Sequence, residues 1–418
     1  GVGETIEATM VSLPVSSTDY WESIEGMAVS FSDTLKVSDT YNLARFGQLT
    51  LSNGRLMLPT NIHSAGSEQA IALADKNSRN SITLDDMNNA QNPDNVPFPA
   101  PGLTYQNTLR LGDSVSGLTG VIDYSFNDYR ILPSSTPQFS TTNARTSQPD
   151  ITGAGSLKVA SFNVLNYFNG DGEGQGFPTA RGADTLEEFN RQSSKIVSAL
   201  VDINADIVGL MELENDGFSS SSAIAELVSQ LNVKLGAGTY NYVSINQAGI
   251  GGDAIAVGFI YKPGTVALIG DAITTNQSPF DYGNRQPLVQ TFKEIATNEE
   301  LTIAVNHFKS KGSCGSASGN NLDQGDGQGC WNELRTQAAQ GLTAWLNTNP
   351  TGSTDSDFLI IGDLNAYAKE DPISALEGAG YTNLVNYFAG ATAYSYSFRG
   401  LPDSLLYSEK EPMIFQPR

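Results

Sequence analysis

Two cysteines, two histidines and 23 basic residues are all that this 418-residue sequence offers of each. With only Cys314 and Cys330, one disulfide is the most that can form. The shortage of Lys and Arg against 45 Asp and Glu leaves a formal charge of −22. Such a charge repels a polyanion at long range unless cations intervene, so a nucleic-acid role must rest on a local pocket. No run of about 18 or more apolar residues occurs, and a hydrophobic fraction of 39% is ordinary for a globular chain, which argues against a membrane-spanning protein. Nor does a positively charged segment followed by an apolar one come after Gly1. The expectation is a mature form or fragment from which any targeting peptide is gone.

What is present points to two domains, since one core rarely organises more than roughly 250 residues. Short β-prone runs at Gly26 to Phe31, Gln48 to Leu51, Leu56 to Pro59 and Gly117 to Tyr124, with almost no helical periodicity, predict a small barrel or sandwich over 1–135. A stretch rich in Pro, Ser, Thr and Gly predicts a linker over 136–155. Beyond it, apolar runs at Leu157 to Val164, Asp206 to Met211, Ala254 to Tyr261, Leu301 to Val305 and Phe358 to Ile361 read as buried strands. They alternate with helical faces: Ile196, Val197, Leu200 and Val201; Ile224, Leu227, Val228 and Leu231; Leu334, Ala338, Leu342 and Leu346. An α/β domain over 156–418 follows. Cys314 and Cys330 flank a Gly- and Ser-rich stretch, and a disulfide stapling it would add about 3 kcal/mol and imply an oxidising compartment, with a reduced buried pair as the alternative. The loops Asn169 to Gly176 and Asn320 to Gly329 suit hard divalent cations, or are merely solvated turn material.

Four apolar runs end in residues that bind metals or move protons: Asn163 after Phe162, Glu212 after Met211, His307 after Asn306, and Asp363 after Gly362 with Asn365 two residues on. Strand ends in α/β sheets are where sites assemble, because a rigid sheet fixes side chains that face a crevice. One such residue alone is usually a cap or turn residue; four in one domain are a candidate site. His63 lacks a metal-ligand partner at useful spacing and reads as a loop residue. Tyr20, Trp21, Phe31 and Tyr41 could stack on bases but read more simply as core.

The strings Ala160-Ser161-Phe162-Asn163, Gly209-Leu210-Met211-Glu212, Val305-Asn306-His307-Phe308-Lys309 and Gly362-Asp363-Leu364-Asn365-Ala366 resemble, in order, the motifs of the deoxyribonuclease-I-like endonuclease/exonuclease/phosphatase superfamily. With Thr179-Ala180-Arg181-Gly182-Ala183, Glu188-Phe189-Asn190-Arg191-Gln192, Cys330-Trp331-Asn332 and Arg335, the chain is most similar to bacterial extracellular nucleases of that superfamily. The segment Phe31 to Tyr129 resembles the OB-fold-like domain that precedes their catalytic domain. The resemblance implies a four-layered α/β sandwich of two mixed sheets with helices outside. It also implies a secreted, monomeric enzyme that hydrolyses phosphodiester bonds of DNA, with RNA as a second substrate. Its metal would be Mg²⁺ or Mn²⁺, with Ca²⁺ as a structural ion. In that scheme Glu212 and Asn163 hold the metal, Asn163 and Asn365 position metal and phosphate, Asp363 activates water and His307 donates a proton. Arg285 contacts phosphate, and Asp253 is a further candidate at the rim.

The superfamily closes its site with a late Asp-His pair, and none occurs here, His63 and His307 being the only histidines. The resemblance weakens after Phe398; Asp403-Ser404 is the nearest correspondence, and Ser408 to Arg418 carries no strand signal of the needed length. The expectation is a sandwich without its last strands and with weak activity. Alternatives are a phosphatase or sphingomyelinase-like phosphodiesterase on the same fold, and a non-catalytic cation or nucleic-acid binding module.

Overall fold

In the computed structural model, which describes residues 7–144, 146, 155–390 and 415–417, short strands and turns dominate as far as Ser140. They are β1 (Thr9–Val11), β2 (Ala28–Phe31), β3 (Leu35–Asp39), β4 (Gln48–Ser52), β5 (Ser81–Asp85), β6 (Ser114–Val115), β7 (Thr119–Ser125), β8 (Asp128–Pro133) and β9 (Phe139–Ser140). They join in one sheet of order β1-β2-β7-β8-β5-β4-β3-β6-β9. The β7–β8 hairpin turns on Phe126 and Asn127, both left-handed at φ 55° and 60°, the backbone that a two-residue hairpin loop requires. Trp21, Phe31, Leu51, Leu84 and Ile131 lie in its core, so the aromatic pair Trp21 and Phe31 packs rather than presenting to solvent.

Three expectations for this region need correction. Leu56 to Pro59 is not a strand; Pro59 opens the short helix α2 (Pro59–Ile62), which follows α1 (Leu43–Phe46), because its fixed φ suits a first helical turn. Helix α3 (Glu68–Arg79) escapes periodicity because only Ala70 and Asn77 are buried, while Ser67 caps it by accepting the Ala70 N–H at 3.2 Å. The segment read as linker from 136 contributes β9, and Asn143 beyond it donates to the Leu111 carbonyl at 2.6 Å. Residues 145 and 147–154 lie outside the described residues. The chain divides into two compact units at Arg145–Thr146, with Gly325–Gly327 clustering with the first.

The second unit alternates strand and helix: β10 (Val159–Tyr167), α4 (Leu186–Ile203), β11 (Ile207–Glu214), α5 (Ala223–Leu235), β12 (Asn241–Tyr242), β13 (Ile255–Tyr261), β14 (Val266–Thr274), β15 (Leu288–Glu294), β16 (Glu300–His307), α6 (Asn332–Leu346), β17 (Phe358–Asp363), α7 (Asp371–Gly378), β18 (Tyr381–Asn383), α8 (Leu384–Ala389) and β19 (Phe415–Pro417). Two sheets form, of order β10-β11-β13-β12 and β14-β15-β16-β17-β19-β18. The tail, expected to hold no strand, supplies β19, which pairs with β17 and β18.

Side-chain alternation along each strand sets the layers. Ile207, Met211, Val257 and Phe259 of one sheet meet Leu288, Ile303, Val305 and Ile361 of the other in a shared core. The opposite face of the first sheet packs on α4 and α5 through Leu200, Leu210, Leu227 and Leu231. That of the second packs on α6 and α7 through Leu342, Leu346, Ile360 and Ile373. The sheets approach closely at Gly209, where a Cβ would lie 2.5 Å from Ile361 Cδ1.

Candidate active site

Parity decides which strand-end residues meet. In β16, Ile303 and Val305 face the other sheet, so His307 does too; in β17, Leu359 and Ile361 do, so Asp363 follows. The two strands are parallel and pair His307 with Asp363 directly. This junction requires glycine at 362: its φ is +132°, and a Cβ there would sit 2.0 Å from the Asn306 carbonyl oxygen. Asn163 has the same parity in β10, where Ser161 bonds Met211 Sδ at 3.8 Å.

Glu212 reaches the same place by breaking the pattern. Leu210 and Leu213 both pack towards the helices, so one residue between Met211 and Leu213 is supernumerary. The β11–β13 register shifts there, and Glu212 adopts φ +65°, a conformation that costs a non-glycine residue roughly 1–2 kcal/mol. The bulge turns the carboxylate to the strand end. The neighbouring β10–β11 register shifts at the same level, with Leu165 and Asn166 also left-handed at φ 56° and 49°. The Asn166 N–H then donates to Glu212 Oε2 at 3.1 Å.

Glu212, His307 and Asp363 each bring one ligand-type atom within 4.8 Å of the others. All three are buried, at 6%, 3% and 1% exposure. His307 Nε2 lies 3.9 Å from Glu212 Oε1 and 3.8 Å from Asp363 Oδ2. Asn163 Nδ2 bridges the carboxylates, donating to Glu212 at 3.0 Å and to Asp363 at 3.3 Å, while its Oδ1 accepts the Leu165 N–H at 2.9 Å. The geometry therefore gives Asn163 the part of orienting both acids. Asn365, left-handed at φ 48°, donates its N–H to Asp363 Oδ1 at 3.1 Å and its Nδ2 to the Phe308 carbonyl at 3.0 Å. Among the described residues its buried Oδ1 has no protein partner, leaving a lone-pair donor for a cation or a substrate hydroxyl. Hard oxygen donors of this kind suit Mg²⁺ or Mn²⁺.

A cationic group adjoins the acids. Asp253, the further candidate at the rim, is the shared partner of Arg181 Nη1 at 2.9 Å and Arg285 Nε at 3.2 Å. The Arg285 backbone N–H donates to the His307 carbonyl at 3.2 Å. Lys309 stands over Trp331, 5.0 Å from the ring centroid, and burial together with the nearby Arg285 and Arg335 charges brings its pKa down to about 8. Asn284 Oδ1 accepts the Lys309 N–H at 2.9 Å, and the fully buried Arg335 holds the carbonyls of Cys330 and Gln328 at 2.9 and 3.0 Å. The Cys314–Cys330 disulfide closes this loop, with Cα atoms 5.6 Å apart. Arg181, Asn284 and Lys309 were missed as site residues, although two of them sit inside strings that carried the resemblance.

The other sequence candidates lie elsewhere. His63 ends α2 in the first unit. In the loop after β10, Asp171 is spent on its own backbone, accepting the N–H groups of Glu173 and Gln175 at 2.8 Å each, which lowers its pKa. Two acids beside the site, Glu214 and Asp216, have no cationic partner among the described residues; burial and the Asp216 charge raise Glu214 to about 7. Tyr394 to Phe398 and Asp403-Ser404 lie outside the described residues.

A family model described as "Domain of unknown function (DUF8508)" matches residues 3–144, and no curated protein matches the chain. Among solved structures, the chain is similar to the human Nocturnin catalytic domain with bound sulfate anion, at 14% identity over 63% of this chain and 83% of that one, with a TM-score of 0.42. An endonuclease/exonuclease/phosphatase family protein from Bacteroides thetaiotaomicron is similar at 13% identity, over 62% and 82%, with a TM-score of 0.39. TDP2 of D. rerio complexed with single strand DNA product is similar at 14% identity, over 62% and 83%, with a TM-score of 0.36.

Proposed function

We propose that the second unit is a divalent-metal-dependent phosphodiesterase with the four-layered sandwich of the endonuclease/exonuclease/phosphatase superfamily. In this reading it is a secreted nuclease acting on DNA and also on RNA. The observation that carries the reading is the convergence of Glu212, Asp363 and His307 within 4.8 Å at the carboxyl ends of strands from two facing sheets. Glu212 and Asp363 would hold Mg²⁺ or Mn²⁺, with the unpartnered Asn365 oxygen as a further donor. When bound, the ion neutralises charge on the phosphoryl oxygens.

The chain's own groups supply the rest. Asn163 keeps the carboxylates aimed at one point. Asp363 orients and deprotonates the attacking water from a position fixed by the Asn365 N–H. His307, with Nε2 about equidistant from both acids, donates a proton to the phosphate or the leaving oxygen. Arg285 pairs its planar fork with phosphate oxygens. The β-rich unit is assigned as OB-fold-like on the resemblance of Phe31 to Tyr129 alone.

Hydrolysis of plasmid DNA, p-nitrophenyl phosphate and sphingomyelin, side by side with and without Mg²⁺, tests the assignment. Metal-dependent cleavage of DNA is the expected result. Turnover of the monoester or the lipid in preference would move the chain to the alternative hydrolases, and turnover of none would make it a binding module.

A further inference from the structure

We infer that Asn169, Glu214 and Asp216 form a second cation site, suited to Ca²⁺, which ties the ends of β10 and β11 to the start of α5. The inference stands apart from the phosphodiesterase reading and uses none of the residues assigned to the reaction.

Unmet oxygen donors are the first argument. Asn169 is 3% exposed, and among the described residues its buried Oδ1 has no protein partner. Its Nδ2 donates to the Ser221 carbonyl at 2.9 Å, which fixes the amide so that the orphaned atom is the oxygen. An oxygen buried in this way is costly unless a cation or a water completes it. Glu214 and Asp216 each spend lone pairs on a backbone N–H, Glu214 Oε2 on Asn169 at 3.1 Å and Asp216 Oδ2 on Ala223 at 2.9 Å. A carboxylate has about four lone-pair sites, so both acids keep capacity for an ion. They stand close enough for the Asp216 charge to act on Glu214, and neither has a cationic partner among the described residues. Two negative charges and a neutral oxygen match one divalent cation.

Placement is the second. Asn169 follows β10, Glu214 ends β11, and Asp216 lies in the segment that leads into α5. Asn169 joins the three: its backbone N–H holds Glu214, and its side chain holds Ser221, in the turn that Asp216 secures at Ala223. Its carboxamide therefore lies between the two acids. The glycine-rich loop after it closes down on the same turn, since Gly172, at φ +73°, could carry a Cβ only 2.2 Å from the Ser221 carbonyl oxygen. Asp171 takes no part, being spent on the Glu173 and Gln175 N–H groups of that loop. Asn169 is thus covered while Asp216 is exposed, which leaves an entry and room for water ligands on that side. Ca²⁺ accepts about six to eight oxygens in flexible geometry, whereas Mg²⁺ demands a near-ideal octahedron, so donors from three separate segments favour Ca²⁺.

The experiment follows Ca²⁺ in the full chain carrying Glu212→Gln, which removes a carboxylate from the first cluster, by calorimetry and equilibrium dialysis at pH 8. Between EDTA and a Ca²⁺ concentration about 100 times Kd, Tm should rise by roughly 5–11 °C, and dialysis should count a single tightly held ion. Adding Glu214→Gln should abolish both, and so should adding Asp216→Asn in its place, while each double variant still melts cooperatively in EDTA. Mg²⁺ at the same concentration should raise Tm much less. A Ca²⁺ rise that survives both added substitutions would overturn the site, because it would then come from the acidic surface at large. No rise with Glu212→Gln alone would also overturn it, leaving a water as the partner of Asn169 Oδ1. Failure of both double variants to melt cooperatively in EDTA would make the acids structural and overturn it as well, and a Mg²⁺ rise equal to that of Ca²⁺ would overturn the choice of ion. None of these readouts requires hydrolysis of any substrate, so this inference and the phosphodiesterase reading fail separately.

Discussion

Replacing Glu212 by Gln separates what the carboxylate does for metal from what it does for the fold. Without a cation, Glu212 and Asp363 present oxygens within 4.8 Å of each other. Their repulsion is about 3.5 kcal/mol at an effective dielectric of 20. The isosteric amide removes that charge and, among the described residues, still accepts one of the N–H groups that Glu212 holds from Asn163 and Asn166. The other would face the new NH₂ and cost about 1–3 kcal/mol. The two effects nearly cancel. In EDTA, the Tm of Glu212→Gln should therefore equal that of wild type or exceed it by a few degrees.

Metal breaks the symmetry. At a concentration about 100 times Kd, Mg²⁺ stabilises the wild-type native state by about 2.7 kcal/mol. For a unit of this size that is a rise of roughly 5–11 °C in Tm. Glu212→Gln should show almost none of it and should lose metal-dependent turnover. Calorimetry in EDTA and in a Mg²⁺ series reads both. The reasoning is refuted if the variant keeps the metal-induced rise, or if it melts more than about 10 °C below wild type in EDTA, which would make the carboxylate structural.

Two further outcomes follow from groups around the site. The double variant Cys314→Ser with Cys330→Ser opens a loop of sequence separation 16 and should lose about 3 kcal/mol, lowering Tm by roughly 6–12 °C, as a non-reduced thermal melt would show. Glu214, whose folded pKa of about 7 lies above its ordinary 4.5, binds more protons folded than unfolded between those values, so its contribution falls as pH rises through that window. Glu214→Gln should thus raise Tm at pH 8 and change it much less at pH 4.5; an equal shift at both, measured in EDTA, would contradict the assignment.

The strand-end acids were legible because each follows an apolar run and parity alone aims His307 and Asp363 at the facing sheet. What the sequence concealed were polar residues at core positions and partners far along the chain. β15 is concealed because Gln290 and Thr291 interrupt its apolar pattern, yet both are buried and satisfied, Gln290 by the Ile269 carbonyl at 3.0 Å and Thr291 by Thr302 at 2.8 Å. Arg181 lay in a recognised string without a role because its partner, Asp253, is set beside it only by the fold. Arg335 likewise carried the resemblance without a role, and it is fully buried and holds the carbonyls of the disulfide loop.

The bulge at Glu212 could not be read from the chain at all, and it is the most informative feature of the site. A regular β11 would send residue 212 towards α4 and α5 and Leu213 into the space between the sheets. Inserting one residue keeps Leu213 in the outer core, where it is 3% exposed, and frees the carboxylate to face Asn163, His307 and Asp363. Glycine would take φ +65° without strain, so a glutamate there carries a penalty of roughly 1–2 kcal/mol together with the desolvation of its charge. The packing return goes to Leu213, since the Glu212 side chain itself meets other polar groups rather than the core. A cation shared with Asp363, the partner proposed above, would relieve the repulsion and the desolvation at once.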